Sequence, residues 1–346
     1  MPRSPLRVGL VGFGYAGATF HAPLIAATPG LVLASVASRD APRVRAAWPR
    51  AEVEPTPQAL FARADIDLVV IATPNDSHHP LAAQALAAGR HVVVDKPFAL
   101  DVAQADDLIA RATRAGRLLS VFHNRRWDAD FLTLRALLAA GTLGRVVHLE
   151  SHFDRFRPGV RARWREGDGP GAGLWYDLGP HLLDQALCLF GPPERLTLDR
   201  ARQRDGAQAD DWFHAVLAYG PLRVVLHAGA LAAATGPRFI VHGTRGSFVK
   251  RGLDTQEDAL KAGRAPTGGG AAADPDWGCD PNPGRLTLAQ GEALVEQPHA
   301  GERGDYRRYY AGIRDAIRHG APNPVPAEQA LAVMRWLDRG RAGDGG

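Results

Sequence analysis

Val8-Gly9-Leu10-Val11-Gly12-Phe13-Gly14-Tyr15-Ala16-Gly17 decides how this chain is read. An apolar run of strand length passes straight into a Gly-x-Gly-x-x-Gly turn, and a helix-compatible segment follows. In that setting each glycine has its own task. Gly12 makes the tight turn, Gly14 lets the backbone approach a pyrophosphate, and Gly17 allows close packing of helix on strand. The helix N-terminus then favours the anion. A ligand-free glycine turn is the competing reading of an isolated match, and the repeated β/α units that follow weigh against it.

Outward from this turn, short apolar runs recur at Val8–Gly12, Leu31–Ala37, Leu68–Ala72, His91–Val94 and Leu118–Phe122, with Ala-rich stretches of helical spacing between them. The rhythm predicts a doubly wound parallel sheet, a Rossmann domain over residues 1–123 of an α/β protein. From residue 124 the rhythm changes. Val147, Leu149, Ser151 and Phe153 alternate with His148, Glu150, His152 and Asp154, the mark of a strand with one wet face. Further strands are expected at Arg195–Arg202, Trp212–Tyr219, Leu222–Leu231, Phe239–His242 and Ser247–Lys250, the last two joined through Gly243–Gly246. They predict a second, α+β domain over residues 124–346 with an open, mostly antiparallel sheet. Residues 262–284, centred on Gly268-Gly269-Gly270, read as a loop. Helices are expected at Asp305–His319 and Ala327–Arg339, packing back on the first domain, before a frayed tail from Gly340 to Gly346.

Bulk properties agree with two globular domains. The 346 residues exceed one ordinary core, and 45% hydrophobic with 23% charged residues excludes disordered and fibrous classes. The net charge of +4 comes from arginines interleaved with acids, without a run of five like charges, so nucleic acid is not implied. Two cysteines, Cys188 and Cys279, make no disulfide framework and fit a reducing cytoplasm. The segment after Met1–Arg7 is too short for a secretory core or a membrane span, which predicts a soluble protein without membrane partners.

Cofactor choice turns on the end of the second strand, where Ser38 and Arg39 stand. An acid there binds the ribose hydroxyls of NAD, whereas an arginine accommodates the 2′-phosphate of NADP. Arg39 favours NADP; Asp40, one position on, keeps NAD open. Thr73-Pro74-Asn75, with His78 just beyond, and Asp95-Lys96-Pro97 follow two further strands at the carboxyl edge where such sheets bind ligands. Pro97 fixes the backbone beside Lys96, with a cis peptide as one form. Downstream, Asp177-Leu178-Gly179-Pro180-His181 opens an apolar helical stripe that ends at Gly191. If helical geometry reaches back to residue 177, Asp177 and His181 share a face, and the carboxylate orients an imidazole suited to acid/base work. A capping Asp and a satisfied helical His form the bland alternative. The histidines His78-His79, His123, His148 and His152 lack metal-ligand spacing, so no metal is expected.

In this order and spacing, Gly12–Gly17, Thr73-Pro74-Asn75, Asp95-Lys96-Pro97 and Asp177-x-x-x-His181 resemble the Gfo/Idh/MocA oxidoreductases over essentially the whole chain. Phe20-His21-Ala22-Pro23-Leu24, His123–Asp128, Glu150–Pro158 and Phe239–Lys250 are similar to the NADP-dependent scyllo-inositol dehydrogenase branch. The resemblance implies hydride transfer between NADP(H) and a secondary alcohol or ketone of a polyol, cyclitol or sugar. Lys96 and His181 would meet the reacting carbon–oxygen group, with Asp177 supporting His181. Cofactor contacts would come from Gly12, Phe13, Gly14, Tyr15, Gly17, Ser38, Arg39, Thr73, Pro74, Asn75, His78, Asp95 and Lys96, joined by Trp164 and Arg165. Asn124, His152, Asp154 and Arg157 would face substrate, and the open sheet would form a homodimer or homotetramer. Two departures stand out. Asp95 replaces the family's usual Glu, and no strand follows the Ala327–Arg339 helix. Rival readings are an NAD-assisted glycosidase or isomerase on the same fold, and a non-catalytic NADP sensor.

Overall fold

In the computed structural model, residues 4–234, 236–266 and 275–342 are described, and the chain divides into two compact units. The first comprises Met1–Asn124, Gln256–Trp277 and Asp305–Leu331; the second comprises Arg125–Thr255, Gly278–Gly304 and Ala332–Gly346.

Six parallel strands form the first unit's sheet: β1 (Leu6–Val11), β2 (Leu31–Ala37), β3 (Glu52–Glu54), β4 (Leu68–Ile71), β5 (His91–Val94) and β6 (Leu119–Val121). Their order is β3-β2-β1-β4-β5-β6, so the winding reverses between β1 and β4, where open α/β sheets take ligands. The helices are α1 (Ala22–Ala26), α2 (Ala41–Ala47), α3 (Pro57–Ala62), α4 (His78–Ala87) and α5 (Val102–Ala115). Local chemistry sets their limits. Asp101 accepts from Gln104 N to start α5, and Gly116, at φ +60, ends it. β3 escaped the sequence reading because Glu-Val-Glu at a sheet edge has no buried face to write an apolar run.

The remaining elements are α6 (Ala129–Ala139), β7 (Val146–His152), α7 (Leu174–Phe190), β8 (Arg195–Ala201), β9 (Trp212–Tyr219), β10 (Leu222–Gly229), β11 (Phe239–Gly243), β12 (Gly246–Lys250), α8 (Gln256–Lys261), β13 (Gly284–Gln290), β14 (Ala293–His299), α9 (Arg307–His319) and α10 (Ala327–Ala342). β7 to β14 make one sheet, ordered β14-β13-β12-β11-β7-β10-β9-β8; β7 and β10 pair parallel and the other neighbours antiparallel. Apolar residues of β9 and β10 meet α7, with Trp175 edge-on to Phe213 at 5.0 Å. The alternate residues His148, Glu150, His152, His214 and His227 occupy the opposite, partly wet face.

Besides β3, the elements α6, α8, β13 and β14 were not expected. β14 is exposed along almost its whole length and carries Pro298, as an edge strand tolerates. α10 runs to Ala342 rather than stopping at Arg339. Gly340 makes this possible, since a Cβ there would meet Leu198 at 3.0 Å and Trp175 at 3.1 Å. The expected loop centre Gly268–Gly270 and the tail residues 343–346 lie outside the described residues. Among those described, no helix is long and apolar enough to cross a membrane.

Arg238 is the polar centre of the second unit. Fully enclosed, it donates to Asp130 on α6 (3.1 Å), Ser151 on β7 (2.6 Å) and Gln185 on α7 (2.8 Å), and lies over the Phe239 ring. Removing the guanidinium leaves buried Asp130 without a cation that it needs. Arg238→Ala is expected to cost about 3–5 kcal/mol, read as a lower urea midpoint followed by tryptophan fluorescence; a loss below about 1 kcal/mol, the surface-pair range, would show that the network is dispensable.

Candidate active site

The glycine turn has the geometry that its sequence demands. Gly12 sits at φ +94, where a Cβ would lie 2.5 Å from the Ala72 carbonyl oxygen; a Cβ on Gly17 would strike Gly12 O at 2.1 Å. Around Gly14 nothing stands within 4 Å of that position, leaving room for a phosphate-bearing ligand against the backbone. A dinucleotide therefore fits this turn. Gly17–His21 winds as a single π-helical turn into α1, a local irregularity typical of functional segments.

That turn delivers His21 to the interior. Its Nδ1 meets Tyr310 Oη of α9 at 2.6 Å, and its Nε2 stands 3.8 Å from Asp95 Oδ1, an ion-pair rather than a hydrogen-bond separation. Asp95 Oδ1 also accepts from the Lys96 backbone N–H at 2.8 Å, and the Lys96–Pro97 bond is cis. Burial pushes the Asp95 carboxyl up, but His21, Lys96 and His78 outweigh it and hold it at about 2. Lys96 thus emerges from a backbone anchored by a buried carboxylate. His78, expected as a cofactor contact, also has a structural part. Fully enclosed, its Nδ1 lies 2.8 Å from Pro97 O and its Nε2 3.0 Å from Thr73 O, so the ring braces two ligand-edge loops together. Thr73 also accepts from Ser77 Oγ at 2.7 Å, and Asn75 is buried at the start of a 3-10 turn.

Beyond β2, Ser38 is half-buried and Arg39 exposed. Asp40, the alternative ribose acid, caps α2 by accepting from Arg43 N at 3.1 Å. Arg43 reaches back over the Phe13 ring at 5.5 Å, a cation beside the glycine turn that the sequence reading passed over. Tyr15 is exposed and edges onto Phe20.

In the second unit, α7 begins three residues ahead of Asp177. Asp210 fixes its start: Oδ2 accepts from Trp175 N at 2.7 Å, while burial pushes the Asp210 carboxyl above its usual range. Pro180 lies inside the helix. Asp177 and His181 fall one helical turn apart, Asp177 in the first turn where the helix dipole favours an acid, His181 buried. Arg165 Nε stands 3.9 Å from Asp177 and its guanidinium lies over Trp164, which is exposed.

Asp177, Arg165 and Arg157 line a cleft with Arg155, Arg204 and Gly229. Burial, then the charges of Arg155, Arg163 and Arg161, lower the Arg157 pKa, with Asp177 acting against them. His152 and Asp154 do not join this cleft. Strand alternation sends Ser151 and Phe153 to the α7 side, and His152 and Asp154 to the other face, where Asp154 accepts from Gly229 N at 3.0 Å. Asn124, in the first unit, is buried at the start of the 3-10 turn Asn124–Trp127. Sequence reading missed the Tyr310–His21–Asp95 relay and Arg43. The cue for the former was His21 in an otherwise apolar helix start.

A depressed carboxyl pKa means stability that is complete above the unfolded value near 4 and is lost as pH falls through the folded value near 2. Asp95→Asn is expected to remove a pH-dependent contribution on the order of 2 kcal/mol between pH 4 and 2. Urea midpoints of wild type and variant across that window test it, and parallel pH dependences would refute it.

Residues 6–123 match the family described as "Oxidoreductase family, NAD-binding Rossmann fold", and residues 135–342 match "Oxidoreductase family, C-terminal alpha/beta domain". The uncharacterized oxidoreductase YdgJ of Escherichia coli K12 is 56% identical over 97% of this chain and 95% of its own length. The scyllo-inositol 2-dehydrogenase (NADP(+)) IolW of Bacillus subtilis 168 is 38% identical over 96% of this chain and 92% of its own. The solved structure of oxidoreductase YPO2259 from Yersinia pestis superposes with a TM-score of 0.94 at 57% identity, covering 99% of this chain and 95% of that one. With both domains of the family present in order, the chain is an oxidoreductase and belongs to the Gfo/Idh/MocA family.

Proposed function

We propose that this oxidoreductase transfers hydride between NADP(H) and a secondary alcohol or ketone of a polyol, cyclitol or sugar. The observation that carries the reading is the Asp177/His181 pair on α7, one turn apart, with Asp177 on a cleft rich in arginine donors. Similarity to IolW, named as an NADP-dependent scyllo-inositol dehydrogenase, supports the substrate class. Arg39 at the end of β2 and Arg43 over Phe13 support NADP, because Asp40 is engaged in capping α2.

The bound nicotinamide supplies the hydride acceptor or donor. In oxidation His181 removes the hydroxyl proton as general base, and the Lys96 ammonium stabilises negative charge growing on the oxygen; in reduction His181 returns the proton. Asp177, one helical turn before it, orients the His181 imidazole. Glycine-turn backbone, Thr73 and Asn75 seat the cofactor; Trp164 and Arg165 contribute from the second unit, and Arg157 and Asn124 orient substrate hydroxyls. The wet face of the second sheet is the surface through which copies of the chain associate as a dimer or tetramer.

Purified protein assayed with NAD and NADP against inositols, inososes and aldoses is expected to give nicotinamide absorbance changes stoichiometric with substrate, and larger with NADP. Product without net nicotinamide change would instead assign a glycosidase or isomerase that recycles its cofactor. His181→Ala is expected to lower kcat about 10²–10⁴-fold with NADP binding intact by fluorescence titration; near-normal turnover would remove His181 from the mechanism. Arg39→Ala is expected to weaken NADP about 10–100-fold, the worth of a charge-assisted contact, while NAD is little affected. Equal losses for both cofactors would overturn the 2′-phosphate assignment.

A further inference from the structure

We propose that His152, Asp154 and His227 bind one divalent transition-metal ion of the zinc class on the face of the second sheet opposite α7. The sequence gives no metal-ligand spacing, because the donors come from two strands that only register brings together. His227 on β10 is the parallel cross-strand partner of His152 on β7, and Asp154 lies two residues further along the same face. His227 Nε2 is 3.4 Å from Asp154 Oδ1 and His152 Nδ1 is 3.8 Å from Asp154 Oδ2, and the three donor atoms all lie within 4.8 Å of one another. A tetrahedral ion with ligands at about 2.0–2.2 Å holds its donors about 3.3–3.6 Å apart, so a small side-chain closure completes three corners and leaves the fourth to water.

One further observation points to an ion. His152 Nε2 donates to Glu150 Oε2 at 2.8 Å, a carboxylate–histidine pairing of the kind that orients metal-ligating imidazoles, and an ion bound at Nδ1 takes the place of the proton shared there with Asp154. Gly229 closes the backbone side of the cluster, its N–H donating to Asp154 Oδ1 at 3.0 Å. Glu150 and Asp154 bring two carboxylates to the cluster, and His227 is walled by Trp212 and His214 at ring separations of 5.5 and 5.6 Å. Imidazole and carboxylate donors together select Zn²⁺ and its first-row neighbours over Ca²⁺ or Mg²⁺.

The test uses full-length protein without a histidine tag, stripped with a chelator and titrated with Co²⁺, then Zn²⁺. One equivalent of Co²⁺ per chain is expected, with the visible absorption of a tetrahedral site, displaced by Zn²⁺. His227→Ala is expected to lose the stoichiometric step. Glu150→Gln should keep the stoichiometry but bind about 10–100-fold more weakly, and His242→Ala, at an exposed histidine stacked on His148, should change neither. Circular dichroism verifies each fold, and His152→Gln replaces His227→Ala if the latter is unfolded. Absence of stoichiometric binding in wild type, or a step that survives loss of His227, would overturn the site.

Discussion

A carboxylate carried out of water at the end of β5 constrains much of the first unit. Asp95 ionises there only because cations and donors surround it, and each is delivered by a different element. The π-helical turn after Gly17 brings His21, α9 brings Tyr310 behind that imidazole, and the chain itself supplies the Lys96 backbone N–H and the Lys96 charge nearby. His78 on α4 clamps the Pro97 carbonyl to the Thr73 loop. The glycine turn therefore has two duties. It opens the backbone to a dinucleotide, and it sets the helix that reaches Asp95. The short Asp95 side chain folds back onto its own backbone, where its Oδ1 accepts from the Lys96 N–H.

Legibility followed burial. Leu31–Ala37, His91–Val94 and Trp212–Tyr219 were placed to the residue because buried strands write continuous apolar runs and half-buried ones write alternation. Glu52–Glu54 and Ala293–His299 write neither, since edge strands bury too little. The helix carrying Asp177 and His181 was readable from its apolar stripe, but its start was not. Asp210, thirty-five residues downstream in sequence, caps it. The same holds within the site. Motif residues on one short segment, such as Asp95-Lys96-Pro97, announce themselves, whereas the meeting of His21 with Tyr310, or of His152 with His227, depends on register and packing that local pattern does not encode.

The arginine-rich composition acquires a physical meaning in the second unit. Arg126 forks onto Asp184 at 2.8 and 2.6 Å, Arg125 meets Asp128, Arg238 meets Asp130, and Arg204 binds both Asp211 and Glu166. These are enclosed pairs whose desolvation is offset by planar, multidentate hydrogen bonding, which a lysine does not reproduce. Such a scaffold explains a basic chain with no basic stripe for a polyanion. It also isolates the arginines that are not spent on structure. At the cleft, Glu166, Asp210 and Asp211 are engaged in holding loops and helix ends, so the side of the cleft toward Asp177 presents Arg157 and Arg165 with one acid between them. A surface of fixed donors around a single carboxylate suits a ligand dense in hydroxyl groups, each able to accept from a guanidinium while donating elsewhere, and suits poorly an apolar alcohol that would leave those donors dry.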